Sequence, residues 1–288
     1  MKSALLSLLL FGAALVSSKA TTTINLANRY AYGADVGWLD WRGDTNNGAV
    51  IGEYVCSGYL YAANVGWIHV GSNAPANGIQ YQNNSATDYG VNQDGLGNLR
   101  GYAYGANIGW INFEATGAPK IDLFTGRFSG YAYSANCGWI SLSNAMAFVQ
   151  TDTIVAGADS DQNGLPDAWE LANFGHPGVN PNADSDGDGM SNLRECLAGT
   201  NPNDANDKLL ITAKTFARGG TNVMLTWKSV LTRNYYLQKA LSLSPAPAWS
   251  DSGLGLISPD GASTTRAFGD TNAPIRFYRI GAVRPLSP

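Results

Sequence analysis

Two twelve-residue stretches, Asp159 to Glu170 (DSDQNGLPDAWE) and Asp184 to Glu195 (DSDGDGMSNLRE), carry oxygen-bearing side chains in the same order and begin 25 residues apart. A loop that wraps a hard cation brings side-chain oxygens from its positions 1, 3 and 5 to one point, turns sharply at position 6 and closes with a bidentate carboxylate at position 12. The first stretch supplies Asp159, Asp161, Asn163, Gly164 and Glu170 in those places, and the second supplies Asp184, Asp186, Asp188, Gly189 and Glu195. Position 7 gives only a main-chain carbonyl, so Leu165 and Met190 are acceptable there, while Asp167 and Asn192 at position 9 act directly or through water. No cluster of Cys and His falls in these stretches, which argues against zinc, and the ligand count exceeds what a tight octahedral magnesium site takes from protein. The pattern therefore reads as two Ca2+ sites. An acidic, glycine-rich surface turn is the plainer reading of one such stretch, but two in the same register disfavour it.

The elements that hold these loops are short. Residues 147–158 lack helical periodicity, so only exit helices are expected, at Ala168 to Phe174 and at Ser191 to Ala198, the second stopped by Gly199. Pro166 occupies position 8, where paired EF-hand loops exchange main-chain hydrogen bonds, and proline has no N–H to give. A calmodulin-like opening switch is therefore not expected. Loop, exit helix and the AGTNP tail at Ala198 to Pro202 resemble the calcium repeats of bacterial thrombospondin type 3 modules and of dockerins. The resemblance runs from Ala156 to Asp207 and implies a calcium-rigidified spacer or interaction module without catalysis. It departs from the first family at Asn201, where that family often has Asp, and from dockerins in lacking recognisable small recognition side chains in the exit helices.

Residues 1–20 combine Lys2, an apolar run from Ala4 to Val16 and small residues at Ser18 and Ala20, the features of a secretory signal cleaved after Ala20. No segment approaches the ~20 apolar residues of a membrane-spanning helix, so a secreted or cell-surface protein is expected. Residues 151–207 hold eleven acidic groups and one basic one, Arg194, whereas residues 208–288 hold ten basic and three acidic. The acidic middle repels itself without a cation. The basic tail is too dispersed to imply nucleic acid. Three cysteines do not make a disulfide framework; Cys56 and Cys137 are a candidate pair, and Cys196 reads as a small buried residue.

Residues 21–150 repeat a second motif: YAYGADVGWLD from Tyr30, YLYAANVGWIH from Tyr59, YAYGANIGWIN from Tyr102 and YAYSANCGWIS from Tyr131, spaced by 29, 43 and 29 residues. Tyr-x-Tyr alternates as a strand does, Ala-Asn(Asp)-x-Gly makes a turn, and Trp-Ile resumes a strand, so each copy is a hairpin. Asp35, Asn64, Asn107 and Asn136 are turn residues, and Gly37, Gly66, Gly109 and Gly138 serve the backbone at the turn's end. Four units with extra strands at Val50 to Cys56 and Lys120 to Phe124 suggest a closed barrel, a sandwich or a small propeller. Trp38, Trp67, Trp110 and Trp139 are expected in the core, with exposed sugar-stacking platforms as the alternative; Trp41, among charged neighbours, is expected to be exposed. The copies resemble Gly-Trp-Ile repeats of large bacterial surface proteins, a resemblance that implies no activity.

Residues 208–288 alternate strand-like runs with turns, which suits an immunoglobulin-like or fibronectin-like sandwich with Trp227 at its centre and Phe277 and Tyr278 nearby. The catalytic inventory is thin. His69 and His176 sit in no triad or metal motif, the first projecting from a strand and the second on a surface turn, and Glu53 with Glu114 is the one imaginable glycosidase pair. The expected organisation is mainly β: signal 1–20, repeat domain 21–150, calcium module 151–207 and sandwich 208–288. The expected function is a secreted, non-catalytic, calcium-binding modular protein for adhesion or extracellular assembly. Its expected partner is an extracellular protein or a carbohydrate, and the alternatives are a lectin-like protein and, behind it, a glycoside hydrolase.

Overall fold

The computed structural model describes residues 22–44, 46–216, 222–244, 247–270 and 276–287; the expected signal segment 1–20 lies outside the described residues. The chain is mainly β, with a closed eight-stranded barrel, a loop-and-helix segment and further small sheets. Each repeat copy forms one hairpin of the barrel. The hairpins are Ile24–Gly33 with Gly37–Asp40, Cys56–Ala62 with Gly66–Ser72, Leu99–Gly105 with Gly109–Asn112, and Tyr131–Ser134 with Gly138–Ser141. Each pairs antiparallel with the next in the chain, and the fourth returns to the first through Gly33↔Ile140, so the ring has no free edge. The turn glycines Gly37, Gly66, Gly109 and Gly138 have φ between 70° and 82°, a conformation that a side chain disfavours.

The strand period decides which residues fill the barrel. Ala31, Leu60, Ala103 and Ala132 on the incoming strands and Leu39, Ile68, Ile111 and Ile140 on the outgoing ones are at most 2% exposed. They form one inner layer, small against large in three hairpins and Leu60 against Ile68 in the second. A residue adjacent to an inward Leu or Ile must point outward. Trp38, Trp67, Trp110 and Trp139 accordingly stand on the outer face at 44–49% exposure, which overturns the expectation that they are core. Each leans on the tyrosines of its own hairpin, as Trp110 does on Tyr104 at 4.9 Å between ring centroids.

The same alternation corrects the reading of Trp41. Two residues after Leu39 it points inward again, is 1% exposed and packs edge-on against Phe113 and Phe128. Its equivalents in the other copies, Val70, Phe113 and Leu142, are also buried, and together they close the barrel at the end away from the turns. At the turn end, Asn64, Asn107 and Asn136 each donate from Nδ2 to a carbonyl of the preceding hairpin's turn: Val36 at 3.3 Å, Val65 at 3.0 Å and Ile108 at 2.9 Å. Cys56 and Cys137 are both buried free thiols. Cys137 lies in a turn and Cys56 at the far end of its strand, about six residues or roughly 20 Å of extended chain away, well beyond disulfide reach.

Beyond the barrel, the strand Val149–Thr151 pairs back onto Ile24–Gly33. Two short helices follow, α1 (Asp167–Phe174) and α2 (Asn192–Ala198), around a small core of Leu165, Trp169, Val179 and Cys196. The C-terminal segment forms two three-stranded antiparallel sheets. One comprises Ile211–Phe216, Asn222–Lys228 and Ser263–Gly269; the other comprises Ser250–Asp251, Asn234–Ala240 and Phe277–Val283. They share a core in which Trp227 is fully buried beside Tyr235, and Tyr278 packs edge-on against Phe268.

Candidate metal centre and the joint around it

The two acidic stretches fold into the same loop. Asp159 accepts from the N–H groups of Asn163 and Gly164, and Asp184 accepts from those of Gly187, Asp188 and Gly189. Gly164 and Gly189 take φ of 92° and 95°, the left-handed turn that the position-6 glycine serves. Each loop is closed at its base by the N–H of position 9 donating to the carbonyl just before position 1, Asp167 to Ala158 at 2.6 Å and Asn192 to Ala183 at 2.8 Å. Both exit helices begin at position 9. Pro166 and Ser191 at position 8 are their N-caps, a place where a missing N–H costs nothing.

Among the described residues the carboxylates converge in the second loop, and Asp159, Asp161 and Glu170 of the first do not form such a cluster. Ligand oxygens of Asp184, Asp186 and Asp188 lie within 4.8 Å of one another. Glu170 and Glu195, at position 12, are fully buried. One oxygen on each of Glu170, Asp186, Asp188 and Glu195 is buried without a hydrogen-bond partner. Burial, then Asp186 and Asp188, push the Glu195 carboxyl up to about 7. Carboxylates held together without a donor cost several kcal/mol each, and a hard cation among them removes that cost. The residues of the second loop therefore fit a metal ion bound through oxygen.

The loops differ at position 5. One oxygen of Asp188 accepts from Met190 N–H and its other oxygen is left for an ion; Asn163 accepts from Leu165 N–H, but its Nδ2, with two hydrogens to give, is shared among Asp161, Glu170 and the carbonyl of Val179. Position 9 braces the loop in both cases, since Asp167 accepts from Ser160 and Asn192 accepts from the Ser185 hydroxyl. Leu165 turns its side chain into the small core, and Met190 faces a cleft beside Tyr236 and Arg279. The segment between the loops is held from both sides: Glu170 accepts from Val179 N–H at 2.7 Å, and Asn192 donates to the carbonyl of Asn180 at 3.0 Å.

One residue beyond Glu195 the module meets both neighbours. Arg233, from the C-terminal sheets, donates to the carbonyls of Cys196 and Leu197 at the end of α2, both at 2.9 Å. A cation there satisfies the last carbonyls and the negative end of the helix dipole. Arg284, from the last strand's end, reaches the Cys196 sulfur at 3.0 Å. Both arginines pair with Glu53 of the barrel, each at 3.3 Å, and all three side chains are at most 15% exposed. Glu53 is also fixed by its N–H to the Val155 carbonyl at 2.9 Å.

This placement explains what the imagined carboxylate pair does. Glu53 is committed to the joint, whereas Glu114 accepts from Asn112 in a separate cleft against Tyr133 and Trp139. His69 does project from a strand, where Tyr89 is its partner at 2.8 Å, and His176 is exposed beside the carbonyl of Pro177. The role of Glu53 carried no motif in the sequence, because its partners are 180 residues and more further along the chain.

Comparison with known proteins matches residues 184–205 to the bacterial TSP3 repeat, a calcium-binding type of extracellular module. No curated protein and no solved structure matches the chain. Among the described residues no helix is long and apolar enough to cross a membrane.

Proposed function

We propose that this is a secreted, non-catalytic modular protein in which two calcium ions fix the geometry between the barrel and the C-terminal sheets, for adhesion or extracellular assembly. The observation that carries the reading is the junction of Glu53, Arg233 and Arg284 on the end of α2, whose first turn holds the ligand Glu195. An ion bound by Glu195 orders the helix that both domains grip. The residues to hold calcium are Asp159, Asp161, Asn163 and Glu170 in the first loop and Asp184, Asp186, Asp188 and Glu195 in the second, with carbonyls of Leu165 and Met190. The second loop, with three aspartates already gathered, is the tighter site. The C-terminal sheets, taken as an immunoglobulin-like or fibronectin-like unit, serve as spacer or partner-binding module.

Thermal unfolding and small-angle scattering with calcium and with chelator test this. Calcium at a hundredfold excess over Kd stabilises by about 2.7 kcal/mol per site. The expected result is a lower midpoint and a larger radius of gyration in chelator, with Glu195→Gln reproducing much of both in the presence of calcium. Identical melting and scattering in the two conditions would refute the structural role.

A second reading is favoured by one observation, the outward tryptophans: the barrel binds carbohydrate on its aromatic face. The two readings are compatible, since a stiff joint presents a binding domain at a fixed angle.

A further inference from the structure

The four tryptophan platforms are equal in the hairpins but not in what surrounds them. The longer spacing between the second and third copies places residues 73–90 beside the third platform, and this insert is built to hold its shape. Asp88, 6% exposed, accepts from the N–H groups of Ala76 and Gln82 through its two oxygens. Tyr81, 3% exposed, donates to the Cys56 carbonyl and accepts from Asn73 N–H. The Asn83 amide is spent inside the insert, on Gly90 N–H and the Tyr81 carbonyl.

The rigid loop raises a wall over an aromatic floor. Tyr89 stands perpendicular to Trp110, centroids 4.9 Å apart at 87°, and its hydroxyl is tied to His69 Nδ1 at 2.8 Å. Beside this contacting pair opens a cleft of about 420 Å³ lined by Asn83, Asn84, Ser85, Tyr89, Tyr102 and Trp110. That volume falls within the roughly 300–1,000 Å³ of small-ligand sites. No lining side chain is charged. The Asn84 amide is exposed and has no hydrogen bond within the protein among the described residues. Burial lowers the His69 imidazole below its usual range. The corresponding space at Trp139 is smaller, about 160 Å³, and carries Glu114.

We infer that this cleft is the barrel's principal sugar subsite, taking a neutral pyranose of a polysaccharide with its C–H face on Trp110 and its hydroxyls on Asn84 and Ser85. This rests on the carbohydrate reading of the barrel. An indole presents a negative π face to the weakly positive C–H groups of a sugar ring. Neutral amides and hydroxyls pair with sugar hydroxyls, and the absence of lining charge gives an acidic sugar nothing to pair with. The braced insert means that little ordering is lost on binding.

Titration of the full-length protein with a β-1,4-linked glucose hexamer, followed through the tryptophan indole N–H resonances, is the test. Trp110, identified by its loss in Trp110→Phe, is expected to shift first. Trp110→Ala is expected to weaken binding about tenfold, the loss of one stacked face, while Trp38→Ala, at a platform without the insert, weakens it less. Ser85→Lys blocks the cleft without touching a hairpin, and because the Ser85 hydroxyl also accepts from Asp88 N–H, Ser85→Ala beside it separates blocking, expected to cost far more, from loosening of the insert; the pair carries the test if Trp110→Ala fails to fold. If the hexamer shifts other platforms and binds Ser85→Lys as well as it binds the native chain, this subsite is wrong and the carbohydrate reading survives. If neutral hexamers of glucose, mannose and N-acetylglucosamine all leave every indole unmoved, both fall. Tighter binding of a galacturonate hexamer overturns the assignment of a neutral ligand.

Discussion

The barrel is one hydrogen bond short of full fourfold repetition, and Asp35→Asn should supply it. Three turn asparagines clamp each hairpin to the one before it. The strand register at the closing seam, Gly33↔Ile140, is that of the other three, Ala62↔Leu39, Gly105↔Ile68 and Ser134↔Ile111. The equivalent pair there is residue 35 and the carbonyl of Cys137, but an ionised carboxylate has no proton to donate. The turn glycines show the same gap: amide nitrogens of Asn64, Asn107 and Asn136 lie 3.1, 3.9 and 3.3 Å from a Cβ built on Gly37, Gly66 and Gly109, whereas nothing lies within 4 Å of one on Gly138. A partly exposed amide-to-carbonyl bond is worth about 1 kcal/mol net. In a domain of this size that is a rise of roughly 2–4 °C in Tm. Calorimetry of Asp35→Asn and of Asn107→Asp should therefore show opposite shifts of similar size. The reasoning fails if Asp35→Asn leaves the midpoint in place while Asn107→Asp lowers it, because the seam would then lack a reachable acceptor.

Trp41→Ala should cost the barrel about 3–5 kcal/mol, as loss of a large core side chain does, whereas Trp38→Ala on the outer face should stay within about 1 kcal/mol; urea unfolding of the two variants separates the two environments. In the C-terminal sheets, burial alone would raise the Asp270 carboxyl, but the Tyr278 hydroxyl, Lys239 and Arg276 outweigh it and hold it below the usual carboxylate range. A depressed folded-state value gives stability that is present above the unfolded value near 3.9 and lost as pH falls through the folded one. Acid unfolding, read from methyl resonances of Leu225 and Leu237, should thus steepen below about pH 4 and flatten in Asp270→Asn.

The hairpins, the two acidic loops and their exit helices were legible because each rests on local chemistry: a turn glycine, an oxygen spacing, a cap. The orientation of the tryptophans was legible too, through a rule that aromatic size obscured. Trp and the following Ile or Leu cannot both face inward on one strand, and the apolar residue between the two tyrosines marks the inner face. Trp41 follows from the same count, two steps past Leu39, even though Asp40 and Arg42 flank it. Glu53 was not legible as a joint, since nothing near it in the chain announces two arginines from the last third of the molecule. Closure of the sheet was likewise undecided in the sequence, because the pairing of Gly33 with Ile140 joins the first strand to the last.

Repetition and its interruption have separate consequences here. The four hairpins fill the barrel with equivalent Ala, Leu and Ile side chains, so the outer tryptophans are free of any duty in the core and differ only by what the intervening loops place beside them. The first intervening loop carries Glu53 to the joint; the second carries Asn84, Ser85 and Tyr89 to the third platform. A change at the outer end of the second loop, at Asn84 or Ser85, should therefore alter the cleft at the third platform without loosening the joint, whereas Gly78 and Ile79 of the same loop lie against α1 and beside Glu53 and belong to the joint; a change at Glu53 should leave the cleft in place. That independence follows from the closed ring, in which each hairpin is held by both neighbours and neither loop is needed to complete the sheet.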